Sequence, residues 1–426
     1  MNPCVGSGPG QGVCEDQEEG GDRAEQEGEE EPVEATAVLG LGEPGVDQGQ
    51  GSPSDGVRRL LRKTGTHVHH ILFKSEQMIL LTSMYDRRVS GRKLQRIMIT
   101  LTPPALRTTD HAFCGKIALA MTQRFIDQLA HCECCPRRCG VNRLEGRTGF
   151  CRIAGDALIS YAGLHFGEEP PISGTRGSGT IFFAGCNLRC VFCQNYQISQ
   201  EFQASQMQTL TAEALAAEML RLEHAGAHNI NLVSPSHVIF QAADAIVAAR
   251  NKGLAIPIVY NSNGYDSVDS LRQVRGLVDI YLPDIKYLSN DLARRYSNVG
   301  DYADIIPGVL REMLEQVGHL ELDDDGIARC GLLVRHLVLP GAVDNSRKCL
   351  ALLAELSPAT HVSIMSQYSP QYRAAKHPEI NRPLTIREYD EVTDYALEVG
   401  LENAFIQELD SRHRYLPDFN LDRPFE

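Results

Sequence analysis

The sequence predicts an α/β fold organised as a βα barrel, whole or partial, and three features carry that expectation. Through the C-terminal two thirds, short and continuously apolar segments alternate with amphipathic ones, the pattern of parallel strands buried on both faces and covered by helices. Polar side chains collect at the C-terminal ends of the apolar segments, where the loops of a βα barrel converge on one mouth. The loop after the first of these segments, within GTIFFAGCNLRCVFCQNYQIS (Gly179 to Ser199), crowds Cys186, Cys190 and Cys193 into eight residues.

The series opens with the strand TIFFA. In TAEALAAEMLRLEHAGA, Thr211 is placed to cap a helix whose Leu215, Met219 and Leu222 share one face at i, i+4, i+7. Strand NINLV and helix HVIFQAADAIVAARNKG follow, the latter stopping at Gly253, then strand IPIVYNSNGY and helix SVDSLRQVRGL. Next come VDIYLPDIKY, the helical ADIIPGVLREMLEQVG and strand GLLVRHLVLPG. The chain closes with SRKCLALLAEL, HVSIMSQY, REYDEVTDYALEVG and the short NAFIQEL. No repeat of solenoid or propeller period runs through it.

Each strand end then offers chemistry: the Cys186 loop, Ser234 with Ser236 and His237, Asn261 with Asn263, Asp284 with Lys286, and Gln367 with Tyr368. His237 is expected to be structural, since a lone histidine is more often a satisfied core residue than a base. Arg335 and His336 are neighbours on one strand, so only one of them can face the barrel interior.

The formal charge of −14 is concentrated at the N-terminus: residues 1–56 hold 14 acidic residues and only Arg23 as a base, a net of −13. That segment is rich in Glu, Gly and Pro and has no aromatic residue, so it is expected to be a disordered tail. Residues 57–120 show no clean period and receive no assigned fold. Met121, directly before a cysteine-rich stretch, is a candidate translation start. The expected organisation is therefore tail 1–56, unassigned extension 57–120, Cys-rich metal-binding segment 121–170, barrel 171–410 and C-terminal tail 411–426. The body is nearly neutral and its basic pieces, RRLLRK and GRKLQR, are short, which argues against a nucleic-acid partner. No run of roughly 18 apolar residues and no secretory signal is seen, so a cytoplasmic protein without membrane association is expected.

Eight of the 13 cysteines fall into two tight groups, a pattern that points to metal rather than to disulfides in a reducing compartment. Three thiolates at Cys-x3-Cys-x2-Cys can hold three irons of a 4Fe-4S cluster and leave the fourth open. A structural zinc, which wants four protein ligands, and simple buried thiols are the competing explanations of the bare spacing. Upstream, CECCPRRCGVNRLEGRTGFC supplies Cys132, Cys135, Cys139 and Cys151 as four ligands for a second metal, zinc or iron-sulfur, with Cys134 as a spare thiol.

The loop CNLRCVFC resembles the signature of the radical S-adenosylmethionine (SAM) superfamily, and its flanks, GEEPPISGTRGSGTIFFAG and QNYQIS, resemble the subgroup related to pyruvate formate-lyase activating enzyme. The similarity extends from about Cys132 to Gln407 through LVSPSH, YNSNGY, LPDIKY, IMSQYSP, EINRPLT and GLENAFIQEL. It implies a partial (βα)6-type radical SAM barrel, a 4Fe-4S cluster on Cys186, Cys190 and Cys193, and SAM bound at the open iron. Reductive cleavage of SAM to methionine and a 5'-deoxyadenosyl radical for hydrogen abstraction is the implied activity. Asp284 and Lys286 match the D-x-K motif of the activating enzymes, with Lys286 facing the SAM carboxylate and Asp284 a cation; Ser236, Asn261 and Asn263 are further candidate cofactor contacts. Two departures stand out: Ser234-Pro235-Ser236-His237 replaces the activases' Gly-Gly-Glu, and Asn261-Ser262-Asn263-Gly264 replaces their Asp-Thr-Asn-Gly. A glycyl radical enzyme and an electron donor such as flavodoxin or ferredoxin are the implied partners. A radical SAM enzyme acting on a small molecule, and a non-catalytic iron-sulfur or zinc protein, are the alternatives.

Overall fold

The structure, a computed structural model, describes residues 67–74, 77–83, 96–101, 125–409, 416–421 and 423–425. The acidic segment 1–56, the candidate start Met121, most of 57–120 and part of the C-terminal tail lie outside the described residues. Within 57–120, three strands form an antiparallel meander: β1 (His67–Lys74), β2 (Gln77–Ser83) and β3 (Arg96–Leu101), with His67 opposite Ser83 and Met78 opposite Leu101. These strands had no legible sequence pattern, because the apolar residues of 57–120 follow no sustained period.

The main sheet is built by β4 (Ala157–His165), β5 (Ser178–Phe183), β6 (Gln208–Leu210), β7 (Ile230–Val233), β8 (Ile258–Asn261), β9 (Ile280–Tyr281), β10 (Glu321–Leu322), β11 (Ala328–Leu337), β12 (His361–Met365) and β13 (Asn403–Ile406). The helices are α1 (Pro170–Ser173), α2 (Tyr196–Ser199), α3 (Ala212–His224), α4 (Ile239–Asn251), α5 (Val268–Gln273), α6 (Asn290–Ser297), α7 (Tyr302–Val317), α8 (Val343–Leu356) and α9 (Ile386–Glu398). From β5 through β7, β8, β9, β11 and β12 to β13 the pairing is parallel and follows chain order, and each crossover carries at least one helix. This is the expected partial barrel. Two strands that the sequence did not signal extend it: β4 runs antiparallel to both β5 and β6.

Burial follows the predicted periods. Thr211 caps α3, its hydroxyl accepting from the Ala214 N–H at 3.3 Å, and Leu215, Met219 and Leu222 pack onto Ile181, Phe183, Ile230 and Leu232. Because Ile230 and Leu232 face the helices, Asn231 between them faces the barrel interior. Ile172, Val259, Ile280, Leu282 and Leu333 belong to a separate apolar cluster. No helix among the described residues is long and apolar enough to cross a membrane.

On β11 the choice between Arg335 and His336 is resolved. Arg335 turns inward, whereas His336 is wholly buried on the outer side, between the Ile285 carbonyl (Nδ1, 2.7 Å) and the Ser346 hydroxyl (Nε2, 2.8 Å). Burial pushes the His336 imidazole down to about 4 against the opposing pull of the Ile285 carbonyl. That value lies below the 6.5 of a free imidazole, so the unfolded chain takes up the proton first as pH falls. The resulting loss of stability begins near pH 6.5 and is complete below about pH 4. His336→Gln should therefore remove about 2 kcal/mol of the stability difference between pH 7 and pH 5, measured by urea unfolding at both values.

Candidate functional site

The thiol loop leaves β5 through Gly185, whose φ of +79° suits glycine and whose hydrogen faces the Cys151 carbonyl; a Cβ there would sit 2.6 Å from that oxygen. Leu188 and Phe192, buried between the cysteines, anchor the loop, and the Phe192 ring meets Tyr368 at 5.8 Å. Val191 donates to the Tyr296 carbonyl at 2.8 Å, and the Gln194 side chain donates to the Gln367 carbonyl at 3.2 Å, tying the loop to α6 and to the end of β12.

Each thiol meets a polar partner. Cys186 Sγ accepts from the Leu188 N–H at 3.3 Å and from Asn263 Nδ2 at 3.4 Å; Asn263 Nδ2 also donates to Asn187 Oδ1 at 2.8 Å. Cys190 Sγ lies 3.0 Å from the Ser297 hydroxyl, and Cys193 Sγ lies 3.3 Å from that of Ser199. Burial pushes the Cys186 thiol up to about 12 and Cys193 to about 11, with the charge of Cys190 adding to both. Cys190 is raised as well, by burial first, and Lys286 opposes the rise. Three neighbouring thiols in this setting resist ionisation until a cation arrives, and soft iron is a cation that thiolates take. The donor set therefore fits a cluster held by three cysteines.

Opposite the loop, Asp284 and Lys286 form an ion pair at the end of β9. Burial disfavours the Lys286 charge, but Asp284 and the cysteines Cys190 and Cys193 outweigh it and hold the ammonium firmly protonated. The Tyr302 hydroxyl, 2.9 Å from both the Asn263 and Asp284 carbonyls, also accepts from the Lys286 N–H at 3.1 Å, stitching the ends of β8 and β9 together. The structure thus gathers Asn263, Asp284 and Lys286 around the thiols. Asn261 instead accepts from Arg335 Nη1 at 3.4 Å inside the barrel. Ser236 is buried at the end of β7. His237 is buried against the Ala184 carbonyl (Nε2, 2.8 Å) and pushed down to about 4 by burial, in keeping with a structural role. Gln367 pairs with Gln407, and Tyr368 donates to the Ile380 carbonyl.

The upstream segment folds into tight turns closed by Cys132 N–H to Val141 O and Gly140 N–H to Cys132 O, both 3.0 Å. Cys132, Cys134, Cys135, Cys139 and Cys151 line one cavity together with Arg143. Cys134, expected to be spare, is buried with its Sγ 3.6 Å from that of Cys132. The almost fully buried Arg143 donates to the His237 carbonyl at 2.7 Å and reaches Cys134 Sγ at 3.6 Å and Cys132 Sγ at 3.8 Å, while its Nη2 has no partner. A guanidinium with a free donor among four or more thiols fits an anionic thiolate-metal group. Among the described residues, no three His, Cys, Asp or Glu side chains converge closely enough to clasp a single ion. Arg137 fastens this segment to the thiol loop, donating to the Asn187 carbonyl at 2.9 Å while lying over Phe150.

Ser199, Ser297, Tyr302 and Arg143 carried no sequence signal, because none lies at a strand end; Ser297 acts from the last turn of α6.

With this geometry in hand, the chain can be set against known proteins. The sequence profile of the Radical SAM superfamily matches residues 180–313. The uncharacterized protein MJ0674 of Methanocaldococcus jannaschii is 33% identical over 279 residues, 64% of this chain and 76% of that protein. Among solved structures, SuiB of Streptococcus suis bound to its precursor peptide SuiA aligns with a TM-score of 0.39 at 12% identity over 56% of this chain, which spans 50% of the SuiB chain. A domain of pyruvate-formate lyase-activating enzyme from Bacteroides vulgatus aligns with a TM-score of 0.29 at 14% identity, covering 39% of this chain and 89% of that one. The chain belongs to the radical SAM superfamily, a family of enzymes that work with a 4Fe-4S cluster and SAM.

The approach of β8 to β9 is a point at which the site can be disturbed from outside. Gly264 has φ +78°, and a Cβ there would lie 2.2 Å from the Asp284 carbonyl. Gly264→Ala should cost at least about 2 kcal/mol of stability through strain and clash, read as a lowered midpoint in chemical denaturation.

Proposed function

We propose that Cys186, Cys190 and Cys193 ligate a 4Fe-4S cluster with one open iron, and that the protein cleaves SAM reductively there. The observation that carries this reading is the gathering of three half-buried thiols in the loop after β5, each met by a polar partner, beside the Asp284–Lys286 pair. A cluster held by these three cysteines would supply the electron for reductive cleavage of SAM, the chemistry that gives methionine and a hydrogen-abstracting 5'-deoxyadenosyl radical. The protonated Lys286 holds the SAM carboxylate, and Asp284 orients Lys286 and offers an oxygen to a cation. Asn263, fixed by Cys186 and Asn187, aligns the loop with the end of β8.

Hydrogen abstraction from a glycine of a glycyl radical enzyme, with flavodoxin or ferredoxin as the electron source, is the assignment that the sequence resemblance supports. The polar groups buried deep in the barrel favour a second one, a small molecule that reaches below the mouth. Cys132, Cys135, Cys139 and Cys151 are proposed to hold a second metal, zinc or iron-sulfur, which would draw these thiols together on binding and staple the N-terminal segment to the thiol loop.

Anaerobically reconstituted protein given SAM and dithionite should form 5'-deoxyadenosine, followed by chromatography, and the Cys186→Ala/Cys190→Ala/Cys193→Ala variant should form none. A fully iron-loaded wild type that makes no 5'-deoxyadenosine would defeat the catalytic reading. Lys286→Ala should raise the KM for SAM about tenfold or more, as expected for loss of a charge-assisted contact. In elemental analysis, Cys135→Ala/Cys139→Ala should lose one metal equivalent or cluster while the iron bound at Cys186, Cys190 and Cys193 is retained; unchanged metal content would exclude the second site.

A further inference from the structure

Inside the barrel, running down from the site just described, lies a second polar cluster. Arg335 binds Glu169 through Nε (2.8 Å to Oε1) and Nη2, shares Nη2 with Glu168, and reaches Asn261 with Nη1. Asn231 Nδ2 donates to Glu168 Oε1 at 2.9 Å. The side chains of Glu168, Glu169 and Arg335 are 8%, 7% and 13% exposed, so the cluster is nearly out of water yet not sealed.

Two features set it apart from a self-contained ion pair. One guanidinium faces two carboxylates, and among the described residues no second cation pairs with them: Lys286 is taken by Asp284, and burial pushes the adjacent His165 down, toward its neutral form. In addition, Asn231 is wholly buried and its Oδ1 accepts from nothing. A buried surplus charge and a buried orphan acceptor are each costly, and a single cationic N–H donor would relieve both.

The cluster adjoins the SAM site at its upper end, where Arg335 bridges Asp284 on the neighbouring strand and reaches Asn261, and it extends downward from there. Asn231 is in register with Val259, two residues before Asn261, which places it about 7 Å deeper than Asn261 at the usual rise per strand residue.

We propose that Glu168 and Asn231, braced by the Glu169–Arg335 pair, form a subsite for a protonated amine or guanidinium group of the substrate. Glu168 supplies the opposing charge and Asn231 Oδ1 the acceptor for one N–H. The assignment to substrate rests on the radical SAM function proposed above.

The test is calorimetric titration of the iron-loaded full chain, with SAM saturating, using n-butylammonium and n-butylguanidinium against neutral n-butanol. The cations should bind wild type at least tenfold more tightly than the alcohol. Glu168→Gln should weaken them at least tenfold, and Asn231→Asp, which adds a carboxylate, should tighten them, a gain that a damaged fold would not produce. Equal affinity for cation and alcohol, or no change in Glu168→Gln, would overturn the proposal. Cation binding that appears only without SAM would reassign the cluster to the ammonium of SAM and likewise overturn it. Cation binding in a wild type that forms no 5'-deoxyadenosine would leave the subsite standing and remove the proposed reaction.

Discussion

The anchoring of one loop governs the mouth of the barrel. Leu188 and Phe192 bury themselves between the cysteines, and this apolar grip fixes the backbone that carries Cys186, Cys190 and Cys193. The polar half of the anchor is Asn187, whose Nδ2 donates to the Tyr265 carbonyl at 2.6 Å while its Oδ1 accepts from Asn263. Held this way, the thiols are half-buried and favour their protonated form until a cation compensates them. The same shielding would strengthen electrostatic contacts between Lys286 and a bound anion.

The Cys-rich segment is tied to the same loop. Gly185 touches the Cys151 carbonyl, Arg137 holds the Asn187 carbonyl, and Arg189 lies over Phe150. Two cysteine sets far apart in sequence thus share a backbone junction, so a change of ligation at one should be felt mechanically at the other.

Much of the fold was legible because the strands of a parallel sheet are apolar on both faces and their helices are apolar on one, so the period alone distinguishes them. The strand β4 escaped because it precedes the alternating series and runs antiparallel at its edge. At the site, Cys186, Asn263, Asp284 and Lys286 were legible as strand-end residues. Ser297 and Tyr302 were not, since a helix residue gains access to a strand end only through the way its helix packs.

The sequence by itself determined the order of strands and helices, the spacing of the thiols and the superfamily signature, all of them local patterns. Tertiary structure decided which of Arg335 and His336 looks inward, which asparagine meets the thiols, and that Glu169 and Arg335, 166 residues apart, form one ion pair. The physical reason is that a side chain's partner depends on the register between strands and on what the opposite wall presents. Neither is encoded within the few residues around it.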